Sequence, residues 1–331
     1  MLDFITHCSY LLTKSPRVID VILNPFQLYT LPLGDWINTA LDFIVQNFRP
    51  IFQVIRYPFN LVLDGIELVF MSIPPVIFLF LLGLIAWQVA GRRVGLYSVA
   101  ALTLLGFLGT WEQTMATLAF VVTSVVFSTL MGIPLGIACA SSDRLEQFIL
   151  PILDTMQTIP VFVYLIPVVM LFGVGKIPGV IATFIVAVPP LVRLTNLGIR
   201  QVSPEVVEAA RAFGSTPSQV LWEVRLPLAM PSILTGMNQT ILFALGMSAI
   251  ASMIGVEGLG QRVLDGLARL DIGLATIGGL GFVLLAIMLD RITQGLVSIN
   301  SQETWQERGI LGFFLSRWRV KNTNKAIKLN I

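Results

Sequence analysis

An all-α polytopic membrane protein of about seven spans is predicted by three features of the sequence. Of its 331 residues, 55% are hydrophobic and 12% are charged, against about 25% charged in a soluble domain, so there is too little polar surface for water to be the main solvent. Several stretches reach the roughly 20 mostly apolar residues that cross a hydrocarbon core at about 1.5 Å per residue. Basic residues also gather in alternate connections, as they do where Lys and Arg are retained on the cytoplasmic side.

Taken in order, the apolar stretches are 73–91, 94–109, 114–140, 149–175, 177–200, 233–255 and 272–296, the second being short. The segment 51–72 carries Arg56, Asp64 and Glu67 and is interrupted by Pro58; this predicts an amphipathic helix lying in the interface, a tilted span being the alternative. The chain then divides into an N-terminal extension, 1–72, a membrane domain, 73–299, with an inner loop at 201–232, and a basic tail, 300–331. With the C-terminus inside, only Lys176, Arg262 and Arg269 fall in outer connections, whereas the inner connections and tail collect Arg92, Arg93, Arg144, Arg193, Arg200 and the remaining basic residues beyond them. Lys14, Arg17, Arg49 and Arg56 sit outside unless 51–72 spans. The start, MLDFITHCSYLLTKSPR, lacks a basic region followed by a continuous apolar core, so the first span is expected to serve as the insertion signal.

Chemistry is excluded more readily than it is found. His7 is the single histidine, and Cys8 and Cys139 are the only cysteines, so no disulfide framework, no metal site and no His-assisted nucleophile is expected. The fragment Gly173-Val-Gly-Lys-Ile lacks the spacing and hydroxyl residue of a phosphate-binding loop. No catalytic residue, cofactor or metal is therefore predicted, and uphill transport would need an ion gradient or a separate ATPase. A net charge of +2 is too small to suggest nucleic acid.

Ionisable groups within spans mark ion-coupled carriers. Here Asp154, Arg193, Asp290 and Arg291 all fall near inner ends, where they reach the interface or pair locally, so a proton or sodium relay has no support. Pro134, Pro160, Pro167, Pro189 and Pro190 interrupt the spans; kinked helices around a pathway and ordinary membrane-helix prolines both account for them. Gly132 and Gly136, with the group Gly273, Gly278, Gly279 and Gly281, permit close helix contact.

The informative stretch is the inner loop from Ser203 to Pro231, SPEVVEAARAFGSTPSQVLWEVRLPLAMP. Ser203 as N-cap, Pro204 at the first helical position, Glu205 in the first turn and Gly214 as the terminating residue predict one short helix. Thr216, Pro217 and Gln219 predict a second, started by a capping box and ending before Pro227. Val206, Ala210 and Phe213 share one face of the first helix, and Val220 and Val224 one face of the second. A DNA-binding helix-turn-helix is disfavoured, because the loop is pinned between spans and is not strongly basic.

Within this loop, Glu208-Ala209-Ala210, Gly214, Val224 and Leu226-Pro227 resemble the EAA signature of the membrane subunits of ATP-binding-cassette (ABC) importers, with Val224 where that pattern more often has Ile. The runs RPIFQ, LIAWQ, LPLAMPSILTGMNQT, IASMIGVEGLGQ and RLDIGLATIGG extend the resemblance over roughly 60–295 to permeases for glycine betaine and proline betaine. The resemblance implies the type I importer transmembrane-domain (MetI-like) fold, a separate ABC ATPase subunit that receives Glu208, Ala209, Ala210, Gly214, Leu226 and Pro227, an extracytoplasmic substrate-binding protein, and a homodimer in the plasma membrane. Glu257, Gly258 and Gly260 are expected at the outer gate or the binding-protein surface, and Phe162, Tyr164 and Phe243, with Phe172, are candidates to touch the solute in transit. Permeases for choline, carnitine or proline stay open as alternatives, with an ion-coupled carrier disfavoured by the missing midplane charges. The tail mixes Trp305, Phe313, Phe314 and Trp318 with Arg317, Arg319 and Lys321, a composition suited to anionic lipid.

Overall fold

The computed structural model describes residues 31–302, with side chains through 297. The start of the chain, with His7 and Cys8, and the aromatic and basic tail beyond 302 lie outside the described residues. Two units divide the chain, residues 1–49 and 50–331. In the first, the described residues are helical from Leu33, and Thr39 and Asn47 donate to the carbonyls of Asp35 and Phe43, each at 2.7 Å.

Every described regular element is helical. Helix α1 (Leu33–Ser72) starts well before the expected interfacial segment and carries Pro50 and Pro58 without a break. It is followed, at a 109° bend, by α2 (Pro75–Ala90). Helix α3 (Arg92–Phe107) returns at once, because Gly91 at φ 91° makes the tight corner. Then come α4 (Trp111–Ser141), α5 (Asp143–Thr158), α6 (Val161–Phe172), α7 (Lys176–Arg200), α8 (Pro204–Ala212), α9 (Leu226–Ala251), α10 (Leu259–Arg269) and α11 (Ile272–Gln302).

All seven apolar stretches fall on helices, but they are not seven equal spans. Among the described residues four helical runs, Trp111–Ser141, Lys176–Arg200, Pro217–Ile254 and Ile272–Val297, are each long and apolar enough to cross a membrane, and counting each of two bent pairs as one span raises the number to six. At 16 residues, α2 and α3 are individually short. The stretch 149–175 is broken at Ile159-Pro160 into α5 and α6, bent by 97°. Pro160 lacks an N–H and forces its predecessor into an extended conformation, seen as ψ 130° at Ile159. The Tyr164 hydroxyl donates to the Met156 carbonyl at 2.6 Å, satisfying an acceptor that the break would leave bare in hydrocarbon.

Helix α7 is the centre. In its apolar window 78% of the residues are buried, against 22% in α11. Small residues let its neighbours approach: a methyl group at Gly136 of α4 would lie 2.5 Å from Thr195 Cβ, and one at Gly198 would lie 2.6 Å from Ser232 Cβ. Gly132 and Gly236 both pack on Leu191. Of the later glycines, Gly278 and Gly281 meet Val263 and Leu259 closely, whereas Gly279 faces open space. Hydroxyls inside this core mostly bond within the helices, as Thr114, Thr123 and Ser124 do to carbonyls one turn back, while Thr240 also reaches the Ala187 carbonyl at 3.0 Å and joins α9 to α7.

Candidate functional site

Three regions gather the residues that the sequence singled out, and the inner segment is the most completely defined. Helix α8 begins with Pro204 at its first position and Glu205 in its first turn, but the Ser203 side chain makes no capping hydrogen bond. It ends at Gly214, φ 89°, where Gly214 N–H donates to the Arg211 carbonyl and Ser215 N–H to the Ala210 carbonyl, at 2.9 and 3.1 Å; this paired closure is the Schellman arrangement. The capping box forms as predicted: Thr216 N–H donates to Gln219 Oε1 at 2.8 Å and Gln219 N–H to Thr216 Oγ1 at 3.4 Å.

One expectation about this segment is corrected. The second helix does not stop before Pro227. Residues Val220–Arg225 widen into a π turn in which Leu226 N–H reaches the Leu221 carbonyl, and α9 follows directly with Pro227 in its first turn. The wider turn accommodates a proline ring and its missing donor without ending the helix. The face shared by Val206, Ala210 and Phe213 stays largely uncovered. Val207 is buried instead, while Val206 is 43% and Phe213 92% exposed, and Trp222 on the following turn is 58% exposed. Val220 is buried and Val224 half-buried, as their shared face predicts. Glu208 and Ala209 are exposed, so acidic, small and large apolar groups stand together on the free side of the segment.

Just before this segment, the last turn of α7 is clamped by side chains that sequence reasoning passed over. Arg200 donates to Asp143 at 2.7 Å, to the Cys139 carbonyl at 2.9 Å and, through Nε, to Asn196 at 3.0 Å; it also pairs with Glu146 at 3.0 Å. Asn196 in turn donates to Glu146 at 2.7 Å. The corner between α4 and α5 is thereby fastened to the end of α7. Asn196 and Arg200, four apart, share a helix face that was visible in the sequence, but their partners 50 to 61 residues away were not. Of the four ionisable groups near inner ends, Arg193 pairs with Asp154, and Asp290 accepts from Asn238 at 2.9 Å and from Gln294 at 2.8 Å. Arg291 is exposed.

At the opposite end of α9, Glu257 and Gly258 precede α10 and Gly260 lies in its first turn. Glu257 is 3.1 Å from Lys176 Nζ, which also pairs with Glu67 of α1 at 2.7 Å, so one ammonium joins three parts of the chain. Gly258 has φ 149°, and a Cβ there would stand 2.5 Å from the Thr117 hydroxyl; a Cβ on Gly260 would meet the Ser248 carbonyl at 2.9 Å. The Leu259 N–H donates to that same Thr117 Oγ1 at 2.9 Å. The glycines are needed because the turn presses against α4 and α9.

Between these ends, a cleft of about 720 Å³ opens where the α5–α6 break meets α7 and α9. Phe243 lines it, with Gly246 and Met247 from α9 and Ile159 and Val161 from the break. Of the other three candidate path residues, all outside the lining, Tyr164 holds the break, Phe162 stands half exposed on α6, and Phe172 is buried edge-to-face against Phe52 at 5.5 Å.

Residues 132–302 match a family described as "Binding-protein-dependent transport system inner membrane component". Over 285 residues the chain is 50% identical to the glycine betaine/proline betaine transport system permease protein ProW of Escherichia coli (strain K12), covering 86% of this chain and 80% of that one. Over 269 residues it is 46% identical to the glycine betaine/carnitine transport permease protein GbuB of Listeria monocytogenes serotype 1/2a (strain 10403S), covering 80% and 95%. Among solved structures, an inward-facing form of the MetNI methionine ABC transporter superposes with a TM-score of 0.54 at 21% identity, covering 58% of this chain and 95% of that one; at that identity the likeness speaks for the fold alone.

Proposed function

Because the chain belongs to the family of inner membrane components of binding-protein-dependent transport systems, we propose that it is the membrane-spanning permease subunit of an ATP-driven ABC importer for glycine betaine and proline betaine-type osmoprotectants. Two copies form the pathway. A separate ATPase subunit hydrolyses ATP beneath them, and an extracytoplasmic protein delivers the solute. The C-terminus is cytoplasmic in this reading, as the placement of Lys and Arg supports.

The observation that carries the reading is the uncovered face of the inner segment. A short helix that leaves Phe213 and Val206 in the open beside Glu208 and Ala209 is suited to enter a recess on a partner, since large apolar groups clustered at the surface mark interaction sites. The Arg200 clamp and the unbroken π turn then pass a displacement at Glu208, Ala209, Ala210 and Gly214 into α7 and, through Leu226 and Pro227, into α9. Glu257, Gly258 and Gly260 form the outer gate and face the binding protein, and Phe162, Tyr164 and Phe243 lie along the path. Residues 1–72 act as an extension with an interfacial helix, 73–299 as the permease domain and 300–331 as a tail at the inner surface.

The test is reconstitution of this chain with its ATPase and binding protein in sealed vesicles, with labelled glycine betaine outside the binding-protein face. Accumulation that requires ATP, the binding protein and an intact inner segment is expected. Uptake that persists without nucleotide would refute the reading.

A further inference from the structure

We infer that the cleft at the α5–α6 break is a transit site for a small zwitterion bearing a methylated ammonium group, so that the membrane subunit itself recognises the solute. The inference rests on the substrate class proposed above and adds the groups that meet it.

The chemistry of the lining is unusual for a lipid-facing dent. Its volume, about 720 Å³, falls within the roughly 300–1,000 Å³ of small-ligand sites. The lining combines one aromatic ring, Phe243, the thioethers of Met156 and Met247, and aliphatic side chains. It has two polar side chains, Gln157 from α5 and Gln239 from α9, and no charged one. Among the described residues neither amide has a hydrogen-bond partner, so both are free to donate.

Those properties match a solute with no net charge and two opposite poles. A fixed carboxylate in the wall would hold a quaternary ammonium too firmly for passage, whereas an aromatic face attracts it weakly and needs no proton. The amide N–H groups offer the solute's carboxylate directional donors, again without a counter-charge that would trap it. Gly246 has nothing within 4 Å of where a Cβ would stand, which leaves room for the bulky methylated head between α9 and the break.

The test uses the complete importer, with ATPase and binding protein, in vesicles. Phe243→Leu keeps an apolar side chain but removes the π face and is expected to lower glycine betaine uptake about three- to tenfold, while Phe243→Trp stays within about twofold of the parent. Gln239→Glu, nearly isosteric, sets a negative charge against the carboxylate and is expected to lower uptake about tenfold or more. With Cys8 and Cys139 replaced by Ser, Gly246→Cys should react with a trimethylammonium-bearing thiosulfonate, and saturating glycine betaine should slow that reaction. Phe243→Leu at the parental rate, or labelling indifferent to solute, overturns the site while leaving the importer reading intact. A parental importer that takes up no betaine at all removes both.

Discussion

The Thr117 hydroxyl of α4 accepts the backbone N–H of Leu259 at 2.9 Å while donating to the Gln113 carbonyl at 2.8 Å. One side chain, 142 residues away in sequence, thus fixes the position of the turn before α10. Gly258 is the companion of this bond, since only a residue without Cβ keeps the turn within reach. Gly258→Ala should destabilise the detergent-solubilised protein more than Thr117→Val does, by about 1–3 kcal/mol against about 1 kcal/mol, and so lower its thermal midpoint further. Tryptophan fluorescence during heating reads both, and an order of effects opposite to this would refute the packing described.

Phe213→Asp separates docking from folding. The ring is 92% exposed, so its removal should change stability by no more than about 0.5 kcal/mol. Recovery of the ATPase on an affinity-tagged permease should nevertheless drop severalfold, because the apolar anchor is gone. If the ATPase is retained in full, the exposed face is not where it binds.

Val207→Asp gives the opposite pattern. Val207 is the inward residue of α8, and an unpaired carboxylate there is expected to cost about 2–4 kcal/mol and reduce the amount of permease in the membrane. Immunoblotting of membrane fractions compares it directly with Phe213→Asp.

Arg200→Met should free the last turn of α7 from Asp143, Glu146 and the Cys139 carbonyl. The guanidinium is about one third exposed, so the loss is expected near 2 kcal/mol rather than that of a fully buried network. Uptake should fall further than ATP hydrolysis in the assembled importer, since the clamp lies between the inner segment and the membrane core. Equal losses in the two assays would assign Arg200 to stability alone.

Gly136→Ala should be more disruptive than Gly279→Ala. The first places a methyl group 2.5 Å from Thr195 Cβ at the α4–α7 contact, and the second places it in open space. Overpacking of about 1–3 kcal/mol is expected at the first site and under about 0.5 kcal/mol at the second, measured as thermal midpoints.

Much of the architecture was legible because bilayer crossing imposes length and apolarity directly on the sequence. The capping box at Thr216 and Gln219 and the terminating Gly214 were equally plain, being local bonds between near neighbours. What could not be read were choices settled by packing. Val206 and Val207 are both apolar, and only the body of the protein beneath α8 decides which turns inward. Pro160 and Pro227 look alike as helix breakers, yet one breaks the chain by 97° and the other is absorbed into a π turn. Gln157 and Gln239, on α5 and α9, line one cleft beside that first break, a relation between distant segments that no local pattern announces.

The absorbed proline has a mechanical outcome. From Pro217 to Ile254 the backbone is one helical run of 38 residues, about 57 Å at 1.5 Å per residue, with Trp222 near one extremity and Gly246 near the other. No break bent by more than 40° divides it, unlike the run that holds α5 and α6. In the importer proposed above it serves as a lever that joins the exposed segment around Glu208 to the space beside Phe243.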